Sequence, residues 1–137
     1  MYYSSAQIAN AANRVVQECG TRDPRLIIKR LGIELIPCDF KEQKGAYKVI
    51  LRRRFIFINK NLSPLMDRIV LLHELGHDAL HSFEAAHRSF HEFNLFDMQN
   101  NRMEYEANLF AAELSLPDEE FLEYVKNCGD TVAAEGE

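Results

Sequence analysis

His73, Glu74 and His77 form an H-E-x-x-H array inside the apolar run IVLLHELGHDALH, residues 69 to 81. On a helix the two histidines are four residues apart, so their imidazoles leave one face a turn from each other and can converge on one ion. Glu74 follows His73 directly and precedes His77 by three residues. That spacing aims its carboxylate at the open side of the ion, where a water would bind. A zinc ion, Zn2+, lowers the pKa of such a water from about 15.7 towards 7 and polarises a carbonyl. Glu74 would then act as general base, taking the water's proton and passing it to a leaving amine. The chemistry these residue types predict is metal-assisted hydrolysis.

Two histidines leave such a site incomplete, because catalytic zinc takes three protein ligands and keeps one position open. A third histidine in the pattern H-E-x-x-H-x-x-G-x-x-H is absent, since those later positions hold Ala79 and Phe83. A glutamate from a later helix is the other solution. The stretch NRMEYEANLFAAELSLP, residues 101 to 117, offers Glu104, Glu106 and Glu113. Glu104 and Asn108 are four apart and share a helix face, so Glu104 can bind the metal while Asn108 hydrogen-bonds a ligand imidazole. Glu106 points about 200° away from Glu104 on that helix, so only one of the two can face the ion. Glu104 is the assigned third metal ligand. His81 lies about 12 Å along the helix from His73, too far to share its ion, and is read as supporting the site from outside the coordination sphere.

The elements that must position these groups are legible in outline. Ile8, Ala12, Val15 and Cys19 recur at helical spacing after Ser4 and Ser5, with Gly20 to end the helix. A second helix is predicted from Asp23 as N-cap and Pro24 at its first position, closing at Gly32. Ile33 to Asp39 and Gly45 to Asn59 are β-rich, with a turn near Arg52 to Arg54, and predict three or so antiparallel strands. Ser63 and Pro64 then start the helix that carries His73 to His77. Gly76 costs that helix about 1 kcal/mol relative to alanine, which predicts a close neighbour at that point. Phe83, Phe90, Phe93 and Phe96 suggest a connecting segment pinned to the core by aromatic anchors. A helix over residues 101 to 114 follows, then a short acidic one over 118 to 126. The fold class is α+β, with one domain over residues 1 to 128 and a disordered tail over 129 to 137.

The order of RFIFINKNLSP, LLHELGHDALH and EYEANLFAAELSLP resembles the ImmA/IrrE family of metallopeptidases. The paired motifs are far more specific than H-E-x-x-H alone. The resemblance implies a small zincin-like, thermolysin-like core with His73, His77 and Glu104 as zinc ligands and Glu74 as general base. It also implies a protein substrate, a helix-turn-helix repressor of a mobile element or a stress response, cleaved by a zinc endopeptidase. An extended substrate would add to an exposed edge strand, for which the FIFI segment, residues 55 to 58, is the candidate.

Composition narrows the alternatives. A net charge of -5 removes the basic field that drives direct nucleic-acid binding. Cys19, Cys38 and Cys128 are odd in number and form no C-x-x-C pair, which argues for reduced thiols. No stretch reaches the length of a membrane span and no secretory leader precedes the first helix, so a soluble cytoplasmic protein is expected. A peptide deformylase would need a cysteine ligand in a short glycine-containing motif, a context that Cys38 lacks. A non-proteolytic antirepressor or partner-binding module, with a structural or vestigial metal, is the competing reading; retention of Glu74 speaks against it, since a structural site has no use for a base. Tyr47 and Tyr105 are hydroxyls that could support a tetrahedral intermediate, though packing is the default for both. Arg52, Arg53 and Arg54 read as a solvated hairpin turn, and His87 and His91 as surface histidines.

Overall fold

A computed structural model describes residues 2–87 and 101–115. Its elements run α1 (Ser5–Cys19), α2 (Pro24–Arg30), β1 (Glu34–Cys38), β2 (Gly45–Ile50), β3 (Arg53–Asn59), α3 (Pro64–His87) and α4 (Asn101–Leu114). The predicted helix starts at Ser4 and Ser63 are present as chemistry, whereas Asp23 precedes α2 without a side-chain cap bond and Pro24 alone marks that start. Ser4 closes a capping box on α1, accepting from the Gln7 N–H while the Gln7 side chain accepts from the Ser4 N–H. Ser63 Oγ accepts from the Met66 N–H at the start of α3. Gly20 ends α1 at φ 69, a left-handed conformation that costs glycine little.

The sheet order is β1-β3-β2, with β2 antiparallel and β1 parallel to β3. The expectation of antiparallel strands therefore holds for one pair and not the other. The chain reverses between β1 and β2 and again at the hairpin into β3, and two reversals restore the original direction. The same order corrects the choice of edge strand. FIFI lies in β3, flanked on both sides, so its backbone groups are already engaged and cannot take up a substrate strand. The edges of the sheet are β1 and β2. The hairpin turn falls at Leu51 and Arg52, both at positive φ, a geometry usually given to asparagine and glycine. With neither residue there to mark it, the sequence placed the turn slightly late.

One face of the sheet and the helices enclose the core, in which Ile8, Ile27, Ile56, Leu71, Leu72, Leu75, Phe110 and Leu114 are fully buried. Each such side chain contributes roughly 1.5–3 kcal/mol of burial free energy. A Cβ on Gly76 would come within 2.9 Å of the Ala107 carbonyl and 3.2 Å of Phe110 Cβ, so α4 is the close neighbour that this glycine admits. Phe83 is not an anchor among the described residues: it is 70% exposed and stacks on His87 at the end of α3. Phe90, Phe93, Phe96, His91, Cys128, the acidic helix and the tail lie outside the described residues. Among the described residues no helix is long and apolar enough to cross a membrane.

Candidate metal centre

Helix α3 presents His73 and His77 towards α4, which returns Glu104 to meet them. One ligand atom from each of the three lies within 4.8 Å of the others. Glu104 spans the pair, with Oε2 2.8 Å from His73 Nε2 and Oε1 3.0 Å from His77 Nε2. Asn108 Oδ1 lies 2.8 Å from His73 Nδ1, so the ring can donate to it while Nε2 faces inward. Glu113 stands outside the group, with its backbone carbonyl accepting from Arg22.

Glu74 is 1% exposed, and neither carboxylate oxygen has a hydrogen-bond partner among the described residues. It abuts the first residue of β2, where a Cβ on Gly45 would stand 3.1 Å from Glu74 Oε2. Burial, opposed by the charge of His73, pushes its pKa up to about 8. Burial likewise lowers His77 to about 4, so its imidazole is neutral at physiological pH, the form a metal ligand requires. For His73 burial acts downward too, but its hydrogen bond to Glu104 and the charges of Glu74 and Glu104 raise it. Glu104 is buried enough to be pushed up, yet its bonds to both histidines hold it down at about 2. An anionic Glu104, a neutral His77 and an unpartnered buried carboxylate beside them are a donor set that a divalent cation satisfies.

The pattern of the IrrE N-terminal-like domain, a peptidase family, matches residues 28–134. This chain belongs to that family. It is 36% identical over 112 residues to an uncharacterised immunity region protein of Bacillus phage phi105, covering 81% of this chain and 69% of that one. It is also 29% identical over 129 residues to the metallopeptidase ImmA of Bacillus subtilis (strain 168), covering 90% and 73% respectively. The chain is therefore a member of a metallopeptidase family, and its His73, His77, Glu104 cluster is the group within the described residues that can hold the metal.

Around this IrrE-like site the structure assigns roles that spacing did not. His81, 1% exposed, places Nδ1 3.0 Å from His77 Nδ1 and Nε2 2.9 Å from Glu106 Oε1. Backbone angles at His81 leave the helical region, at φ -128 and ψ 18, and this kink accompanies the approach of its ring to the preceding turn. Glu106, set aside as a ligand by its direction, is fully buried as the partner of His81. Asp78 was not singled out either. It accepts from Tyr47 Oη at 2.7 Å and from Arg54 Nη1 at 2.9 Å, while Arg54 also donates to the Leu31 carbonyl. Tyr47 is thus a buried scaffold hydroxyl and Arg54 a structural ion-pair partner, not part of a solvated turn. Tyr105 is 51% exposed and lies beside the Arg102 guanidinium. A signal for Asp78 was available in principle: an aspartate inside an otherwise apolar helix needs a donor, and Arg54 and Tyr47 lie on the strands that the helix covers.

Proposed function

We propose that this protein is a zinc endopeptidase that hydrolyses a peptide bond in a specific protein substrate, a helix-turn-helix repressor of a mobile element or a stress response. One observation carries the reading: Glu74 is buried without a partner directly beside a cluster of two histidines and a glutamate. A structural site would gain nothing from that carboxylate, which costs about 1–3 kcal/mol or more to leave unsatisfied.

His73, His77 and Glu104 would hold the Zn2+. When bound, it supplies an acidified water and polarisation of the scissile carbonyl. Glu74 takes the proton of the attacking water and returns it to the leaving amine. Burial raises the pKa of Glu74 and a bound cation beside it would lower it again, and these opposed effects suit a group that must both take and return a proton. Asn108, bonded to His73, fixes that ring's orientation. Of the two sheet edges, β2 begins against Glu74, so an extended substrate pairing with β2 would lie beside the base. The phage relative takes its name from an immunity region, which supports a regulator of a mobile element as the target. Such a target places the reaction in the cytoplasm.

Metal analysis of the purified chain should find one zinc per molecule. Incubation with a helix-turn-helix repressor encoded beside the gene should then give two fragments, a chelator should stop the reaction, and Glu74→Gln should leave the repressor whole. Absence of zinc together with undiminished cleavage by Glu74→Gln would overturn the proposal. Equal relief of repression by wild type and Glu74→Gln, with the repressor uncut, would favour the binding module instead.

A further inference from the structure

We propose that the segment preceding α1 positions the metal ligand His77 through a chain of hydrogen bonds running from Tyr3 through Glu106 and His81. This role rests on the reading of His77 as a metal ligand. The chain is continuous: the Tyr3 backbone N–H donates to Glu106 Oε2 at 2.5 Å, Glu106 Oε1 lies 2.9 Å from His81 Nε2, and His81 Nδ1 lies 3.0 Å from His77 Nδ1.

The direction of each bond follows from what each group can do. A backbone N–H only donates, so Glu106 accepts at Tyr3 and, as a carboxylate, accepts again from His81 Nε2–H. His81 then has a bare Nδ1, which accepts. His77 must therefore carry its proton on Nδ1, which leaves the lone pair on Nε2, the atom that faces Glu104. That is the tautomer that can bind a metal through Nε2. The opposite polarity would put a hydrogen on His77 Nε2 and close the ligand. A second proton on His81 would have the same effect, donating from Nδ1 and driving the His77 proton to Nε2.

Tyr3 is held in place to serve as the fixed donor. Its hydroxyl donates to the Leu80 carbonyl at 2.9 Å, Arg102 Nη2 donates to its carbonyl at 3.0 Å, and its ring meets the edge of the His81 ring. Arg102 Nε also stands 3.5 Å from Glu106 Oε2, so the carboxylate is faced by a guanidinium as well as by Tyr3 and His81. Glu106 and His81 are both sealed from water. Solvent therefore cannot replace a lost link. Tyr3 precedes residue 28, where the match to the family model begins.

Zinc affinity of the full chain, read by chelator competition, tests the chain link by link. Tyr3→Pro removes the N–H, Glu106→Gln removes the double acceptor and His81→Leu removes the relay. Each should raise the zinc Kd by roughly 10–100-fold. His81→Asn, whose side-chain oxygen can stand where Nδ1 stood and accept from His77, should remain within a few-fold of wild type. Tyr3→Phe, which keeps the backbone donor, should do the same. In zinc-loaded wild type, a long-range 1H–15N spectrum should show the proton of His77 on Nδ1 and that of His81 on Nε2. This reading requires no variant to fold. The opposite tautomer on either ring would overturn the proposal. So would unchanged affinity in Tyr3→Pro, Glu106→Gln and His81→Leu, even while zinc binding and the need for Glu74 in cleavage stand. A wild type that binds no zinc would overturn both this role and the peptidase reading beneath it.

Discussion

Glu74 and Asp78 sit one turn apart on α3, are both buried and both look towards β2, yet the fold treats them in opposite ways. Asp78 accepts from Tyr47 and Arg54 and thereby ties α3 to two strands and, through the Arg54 bond to Leu31, to the end of α2. Glu74 lies against Gly45 beside the histidine cluster, with both oxygens unpartnered among the described residues. Burial raises the pKa of both. For Asp78 the hydrogen bonds from Tyr47 and Arg54 and the charge of Arg54 push back, whereas for Glu74 only the charge of His73 opposes it, and the value reaches about 8. A buried carboxylate with its full set of donors holds a structure together; one without them is available for proton transfer.

The comparison predicts that the two residues fail in different measurements. Glu74→Gln should lower the cleavage rate by about 100- to 10,000-fold, the range lost with a general base, while the melting temperature changes little, because a buried carboxyl without partners is exchanged for an amide of the same shape. A melting temperature that fell with the rate would erase the distinction. Asp78→Ala should do the reverse. It should cost about 3 kcal/mol in urea unfolding, the lower end for a broken buried pair because Arg54 is partly exposed, with cleavage per folded molecule retained.

Gly76→Ala, on the face between the two carboxylates and α4, should cost about 1–3 kcal/mol by overpacking against Ala107 and Phe110. It should also weaken zinc, because Glu104 rides on α4. A stable variant of unchanged affinity would show that the helix contact does not set the ligand geometry. The smallest expected effect is a pH slope. In metal-free protein Glu74 titrates near 8 folded against an ordinary 4.5, so the folded state binds the extra proton and stability falls as pH rises through that window. From pH 6.5 to 8, above the range where His77 opposes the trend, the urea midpoint should drop. Glu74→Gln should lessen that drop, leaving the share that the raised pKa of His73 contributes in the same direction, while Asp78→Asn should leave most of it.

His73, Glu74 and His77 were legible because helix periodicity converts a spacing of four into a shared face without any other knowledge of the fold. Glu104 and Asn108 were legible by the same rule, once a third ligand had to be found. The capping signals at Ser4 and Ser63 and the bounds of α4 followed from equally local chemistry. The edge strand was misplaced because pairing order depends on which strand the hairpin inserts beside, and β3 came to lie between β1 and β2. Phe83 was misjudged because an aromatic residue in an aperiodic stretch carries no sign of which side will be covered.

Sequence by itself determined the reactive array, because residues within one helix are related by a fixed rotation and rise. It also determined the family, through motifs kept in order along the chain. Only the tertiary structure decided that Glu106 meets His81, that Tyr3 reaches the site from the other end of the chain, and that Asp78 is satisfied while Glu74 is not. Those outcomes depend on contacts between groups as many as 103 residues apart in the chain, as for Tyr3 and Glu106, where no periodic rule relates one position to the other and packing alone selects the partners.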